Sequence, residues 1–318
     1  MTETTEIILK KYQVRKTKAQ KTAFIEYIRS VAAEMGYSSK IEIGRAGERN
    51  IVIGNPKHAR VLFTAHYDTP PVMPMPNLIT PKNIFLYILY QLLMTSVLML
   101  LPAFLVGLLA YFVMTGLSVD PAAAYEIAFL VGYGAMISAL ILIMFGPANK
   151  HNANDNTSGL TTLVDIMRDL PPDLRDDAAF VFFDLEERGL VGSASFYKAH
   201  KDFMKDKLVV NFDCVGEGDN FLFVLRRGAR GYAEVIGRSY QSTERFSVEV
   251  ATRGCVYPSD QASFPVGVGV AALKKTRGGI LYMNKIHTAR DIVYNEENIE
   301  YLKDGSINLI KALSENKI

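Results

Sequence analysis

Between Asn83 and Gly146 the chain all but loses its charges, and this stretch limits the possible folds more than any other. From Ile84 to Met114 no side chain carries a formal charge, and from Tyr125 to Phe145 only Glu126 does, near the edge of the run. A helix needs roughly 20 apolar residues to cross the ~30 Å hydrocarbon core of a bilayer, so each run is long enough. The alternative is a helical pair buried against a soluble core or in a dimer interface, but such helices seldom stay apolar all round for so long. The reading is therefore a two-helix transmembrane hairpin over 83–146, with Pro102 and Gly107 as positions where the first helix can kink. The link Thr115–Ala124 holds no Lys or Arg, whereas Lys82 and Lys150 flank the spans on the other side. Positive charge stays on the cytoplasmic side, which predicts an external link and a globular part in the cytoplasm.

What flanks the hairpin, 1–82 and 147–318, reads as two parts of one α/β domain, a size that one domain plus an insertion accommodates. With 35 basic against 33 acidic side chains the net charge is +2, so nothing draws the chain to nucleic acid. Cys214 and Cys255 are too few for a disulfide framework and are expected as reduced thiols. The polar opening residues predict no secretion signal at the N-terminus. Apolar faces left in a bilayer also allow copies of the chain to associate.

Apolar positions Phe24, Ile25, Ile28, Val31, Ala32 and Met35 fall at helical spacing, and Gly36 stands where a left-handed C-cap would follow. The basic stretch Lys16 to Lys21 of this helix is expected to be a solvated face. Short β-branched runs at 40–43 and 50–53 precede the strong turn Gly54-Asn55-Pro56. Buried strands are predicted at 60–65, 178–184, 209–213 and 266–273, with helices at 160–167, 230–242 and 298–313. Strands alternating with helices imply a mixed, mainly parallel sheet flanked by helices. The strands at 60–65, 178–184 and 209–213 end in polar residues, which is where open α/β sheets place ligand sites.

The segment His151-Asn-Ala-Asn-Asp-Asn-Thr-Ser-Gly159 sets Asp155 among turn-forming residues just ahead of a helix. Alone it is an ordinary helix cap. Together with the strand ends it gives His66, Asp155, Glu187, Asp213 and His287, with Asp68, Glu186 and Asp291 beside them.

His-x-Asp at 66 and 68, Asn-Asp-Asn-x-Ser-Gly at 154–159, Glu-Glu at 186–187, Asp213 after an apolar strand and Ile-His-Thr-Ala-Arg-Asp at 286–291 resemble, in this order, the co-catalytic dizinc aminopeptidases. That superfamily includes glutamate carboxypeptidase and glutaminyl cyclase, and the resemblance covers about 50–80 and 147–318. It implies a zinc exopeptidase-like fold with two Zn²⁺: Asp155 bridging, His66 and Asp213 completing one site, Glu187 and His287 the other. Three carboxylates against two zinc ions leave a charge of about +1, which favours ionised water nearby. The resemblance makes Glu186 the general base and places Asp68 in the catalytic group on the second ring nitrogen of His66, with Asp291 doing the same for His287.

The chain departs from the family pattern at Gln261, after Ser259-Asp260, and in carrying the apolar hairpin between the first His and the bridging Asp. His58, His151 and His200 fit no ligand spacing and are expected at the surface. The implied function is a membrane-anchored zinc exopeptidase, most simply an aminopeptidase acting on short peptides. A single-zinc glutaminyl cyclase-like acyltransferase and a non-catalytic membrane scaffold are the alternatives. Arg226, Arg227, Arg230 and Arg253 are candidates to hold a substrate carboxylate, and no residue reveals the preferred side chain.

Overall fold

The computed structural model describes residues 2–315. Nine strands form one sheet: β1 (Ser39–Ile43), β2 (Arg49–Ile53), β3 (Val61–His66), β4 (Ala178–Phe183), β5 (Leu208–Phe212), β6 (Asn220–Leu225), β7 (Ser247–Ala251), β8 (Gly267–Lys275) and β9 (Leu281–Tyr282). Their order is β1-β2-β4-β3-β5-β8-β6-β7, with β9 paired to β8. The central strands β4, β3, β5 and β8 run parallel, and antiparallel pairing begins at β2 on one side and β6 on the other. Every residue of β3, β4 and β5 is buried, as expected of strands covered on both faces.

Helices α1 (Glu3–Lys11), α2 (Lys18–Glu34), α3 (Ile84–Thr95), α4 (Leu101–Gly116), α5 (Pro121–Phe145), α6 (Gly159–Asp169), α7 (Val191–Ala199), α8 (Lys201–Met204), α9 (Ala233–Ser239) and α10 (Glu296–Glu315) complete the chain. Alternation along β3 sends Phe63 to one face, where it stacks 6.0 Å from both Phe180 and Phe212 beneath α2, α6 and α10. Leu62 goes to the other face with Val181, Val209 and Phe196 of α7. Helix α2 begins with a capping box between Thr17 and Gln20, and Gly36 closes it at φ +84°, where a left-handed cap was expected. Its basic stretch is not all solvated, because Lys21 is buried in an ion pair with Asp184.

Helices α3 and α4 form one continuous helix, Ile84–Gly116, joined by a π-helical turn at Ser96–Leu100. This turn lies just before Pro102, whose missing N–H and ring disturb the preceding turn. Gly107 serves contact with α5: a β-carbon there would stand 3.0 Å from the Ala128 carbonyl oxygen. Neither helix is a core element, since the most apolar window of the first has no buried residue and only 6 % of that of α5 is buried.

Candidate metal centre

Strand ends deliver the site. His66 is the last residue of β3 and Asp213 follows β5, while Glu186 and Glu187 come two and three residues beyond Asp184 at the end of β4. Left-handed backbone at Leu185 (φ 58°), Cys214 (φ 57°) and His287 (φ 60°) turns the chain sharply at three of these points. Non-glycine residues in that region are uncommon, and each costs on the order of 1–3 kcal/mol that surrounding structure must hold in place.

The asparagines predicted to shape the Asp155 turn tie it to the segment after β5. Asn154 Oδ1 accepts from the Gly216 and Glu217 N–H groups at 2.6 and 3.1 Å, and Asn156 donates to the Phe212 carbonyl at 3.0 Å. A cis peptide joins Asp155 to Asn156. Gly159 admits this close approach, since a β-carbon there would lie 2.4 Å from the Phe212 oxygen.

Asp155 is buried, and its two oxygens face opposite partners. Oδ1 lies 3.2 Å from His66 Nε2, and Oδ2 lies 3.0 Å from His287 Nε2. His66 Nε2 is in turn 3.5 Å from Asp213, and His287 Nε2 is 3.4 Å from Glu187. Ligands 2.0–2.2 Å from a tetrahedral zinc stand ~3.3 Å from one another, so both triads have the edge length that a zinc ion requires. The ligand atoms of His66, Asp155 and Asp213 lie within 4.8 Å of one another, as do those of Asp155, Glu187 and His287. All five residues expected to be ligands therefore converge, with Glu186 alongside.

The charges of the cluster call for cations. Burial opposes protonation of His66, yet Glu186, Asp155, Asp213 and Asp68 raise it well above the ordinary imidazole range. Burial likewise works against His287, which Asp155 raises. Glu186 and Glu187 are pushed well up, first by burial and then by neighbouring carboxylates, with His66 opposing. Glu187 Oε1 and His66 Nδ1 are buried without a hydrogen-bond partner among the described residues. Carboxylates that gather protons around histidines that hold them are what divalent ions would replace, so the donor set fits zinc.

The supporting residues do more, or other, than the sequence suggested. Asp68 Oδ1 is 3.5 Å from His66 Nδ1, too long for a firm bond, while its two oxygens accept the Glu186 and Glu187 N–H groups at 3.0 and 3.3 Å. Asp291 does not hold the His287 ring. Its oxygens accept the Asn154 and Asp155 N–H groups at 2.8 and 2.9 Å and so fix the loop carrying Asp155. Burial and the charge of Asp155 push Asp291 up to about 8, against these two donors. Of the histidines expected at the surface, His58 and His151 are exposed, whereas His200 is half-buried with Nε2 2.8 Å from Glu42.

Sequence reading missed Arg15. Wholly buried, it donates from Nε to the Tyr67 carbonyl at 2.6 Å and from Nη1 to Thr157 at 3.2 Å, which links the loops bearing His66 and Asp155. The site opens into a cavity of about 180 Å³ whose wall includes Cys214, Tyr257, Ile286, Asn77 and, from α3, Tyr87 and Gln91. None of the four arginines proposed for a substrate carboxylate lines it. Arg188, next to Glu187, lies 4.9 Å over the Phe145 ring at the end of α5.

With this geometry in view, the family model for Peptidase family M28 matches residues 142–309, more than half of the chain. The chain belongs to peptidase family M28. Among solved structures, this M28 chain is similar in fold to the LapA aminopeptidase of Legionella pneumophila, with a TM-score of 0.57 and 14% identity over 99% of this chain and 70% of that one. It is also similar to the glutaminyl cyclase of Fimbriiglobus ruber, with a TM-score of 0.51 and 11% identity over 97% of this chain and 93% of that one. No curated protein sequence matches it. Membership of the family supports a peptidase-like function, and the fold is a mixed sheet flanked by helices, as expected.

Proposed function

We propose that this M28 chain is a membrane-anchored, two-zinc exopeptidase that releases N-terminal residues from short peptides. Asp155 carries the reading, because its two oxygens face two separate imidazole–carboxylate pairs at zinc-edge distances. His66 with Asp213 would hold one ion and His287 with Glu187 the other, Asp155 serving both. Bound zinc would polarise the scissile carbonyl and acidify water.

The protein's own groups do the rest. Glu186 lines the cavity and lies outside the two triads that share Asp155, although its carboxylate also comes within ligand distance of His66 and Glu187. Its carboxylate takes a proton from the attacking water and returns it to the leaving amine, a role suited to a carboxylate whose proton affinity burial raises. Asp68 positions it through the Glu186 N–H. A cavity of about 180 Å³ is below the ~300–1,000 Å³ of ordinary small-molecule pockets and has room for about one residue, which favours removal of a terminal residue over internal cleavage. The described lining is rich in carboxylates and holds no Lys or Arg, which suits a free amine better than a carboxylate.

The exposed apolar helices support a bilayer as the second partner, with 83–146 as an insertion between the two parts of the peptidase domain, 1–82 and 147–318. Lys82, Lys150 and Arg188 at the domain end of the hairpin support a cytoplasmic catalytic domain. The complete second triad favours two ions over a single-zinc glutaminyl cyclase-like acyltransferase, and retention of Glu186 disfavours a non-catalytic scaffold. Detergent-purified protein is expected to bind two zinc ions per chain and to release free amino acids from a peptide library. One zinc per chain, or undiminished turnover in Glu186→Gln, would overturn this reading.

A further inference from the structure

The two apolar helices are unequal, and the excess of the first lies against the active site. Gly107 and Gly132 face each other where the helices pack. From that point the first helix runs twenty-three residues back to Ile84, whereas α5 runs thirteen on to Phe145. The first overhangs by ten residues, about 15 Å at 1.5 Å per residue. Within this overhang Tyr87, Gln91 and Met94 recur at helical spacing on the sheltered side, while Phe85, Ile88, Leu89 and Leu92 are exposed. The Tyr90 hydroxyl ties the overhang to the loop before it through the Pro76 carbonyl. Tyr87 and Gln91 reach the cavity that holds the ligand cluster.

This wall differs from its surroundings. Opposite the carboxylates and imidazoles it presents neutral amides, Gln91 and Asn77, whose side chains make no hydrogen bond among the described residues. A side-chain amide offers one acceptor and two donors, matching the N–H and C=O of a peptide unit. The cavity holds about one residue, so whatever follows the scissile bond must leave past its walls, one of which is Tyr87 and Gln91, whose neighbours along the helix, Ile88 and Leu92, are exposed.

We propose that Gln91 and Tyr87 are specificity-determining residues, and that the substrate class is peptides with an apolar segment behind the cleaved residue, presented from the bilayer surface. This rests on the exopeptidase reading. Gln91 holds the substrate backbone, Tyr87 packs on the first side chains, and the apolar segment lies along the overhang.

The test uses full-length, zinc-loaded protein reconstituted in phosphatidylcholine vesicles. It compares kcat/KM for an alanyl tripeptide with that for the same peptide extended by three leucines. Wild type should prefer the extended peptide, by about 3–10-fold for each leucine that packs on the helix. Gln91→Leu should raise KM by about 2–10-fold, the worth of one hydrogen bond, with less change in kcat. Replacing Ile88 and Leu92 together by serine should lower the extended-to-short ratio. Independently of turnover, an extended peptide with a benzophenone at its second residue should crosslink Glu186→Gln protein within 87–91. If wild type cleaves no peptide, the exopeptidase reading fails and this inference with it. If wild type cleaves both peptides equally well, or the crosslink falls on the Tyr257 side alone, only this inference is overturned.

Discussion

Asp291→Asn isolates the loop that carries Asp155. The carboxylate accepts two backbone N–H groups at 2.8 and 2.9 Å in a site that water does not reach. Asparagine keeps one acceptor oxygen and turns an NH₂ group toward the other N–H, so a buried donor faces a donor. Leaving one such group unsatisfied costs about 1–3 kcal/mol. If this cost falls on the ion-binding loop conformation, at 1.4 kcal/mol per tenfold it weakens zinc by about 5–150-fold. Loss of partners that orient metal ligands typically costs about 10–100-fold. Competition with a chromogenic chelator reads the affinity, and circular dichroism checks that the variant is folded. The measurement belongs above pH 8, where the wild-type carboxyl, pushed up to about 8, is ionised. Asp291→Ala, which removes both acceptors, should be weaker still. Zinc affinity within twofold of wild type in both folded variants would refute the reasoning.

Glu186→Gln should keep zinc and lose about 10²–10⁴-fold in kcat on peptides, checked by metal analysis beside steady-state kinetics. Lys21→Met leaves Asp184 buried without its cation, so stability should fall by about 3–5 kcal/mol in denaturant unfolding. His66 and His287 are both raised, so they hold protons that zinc must displace. Zinc uptake should therefore release protons into a weakly buffered solution, and apparent affinity should fall as pH is lowered.

Much of this arrangement could be read from the chain because it depends on strand ends. A run such as Val61–Ala65, apolar but for Thr64, must be covered on both faces, and a charged or ionisable residue directly after it emerges at the edge of the sheet. Hence His66, Asp213 and the Glu186–Glu187 pair were legible. Backbone partners were not, because nothing in Asp291 itself distinguishes a carboxylate that accepts from the Asn154 and Asp155 N–H groups from one that meets an imidazole. Buried cations were hidden for a similar reason. Lys21 sits in a basic helix segment that looks solvated, and only the fold brings Asp184 to it. Arg15 precedes the helix in a segment with no periodicity to mark it as interior. The cavity wall from α3 was masked by composition, since Tyr87 and Gln91 lie in a run that reads as uniformly lipid-facing. The edge strand β7 alternates polar and apolar residues and was not anticipated, and neither was β6, although Phe221–Leu225 is a continuous apolar run.

The Arg188 guanidinium rests on Phe145 at the final turn of α5, and its chain neighbour is Glu187. In a chain seated in a bilayer as proposed, the height of that helix end becomes a mechanical input to the acid beside it. Lipids of different acyl length would then tune hydrolysis without touching a substrate.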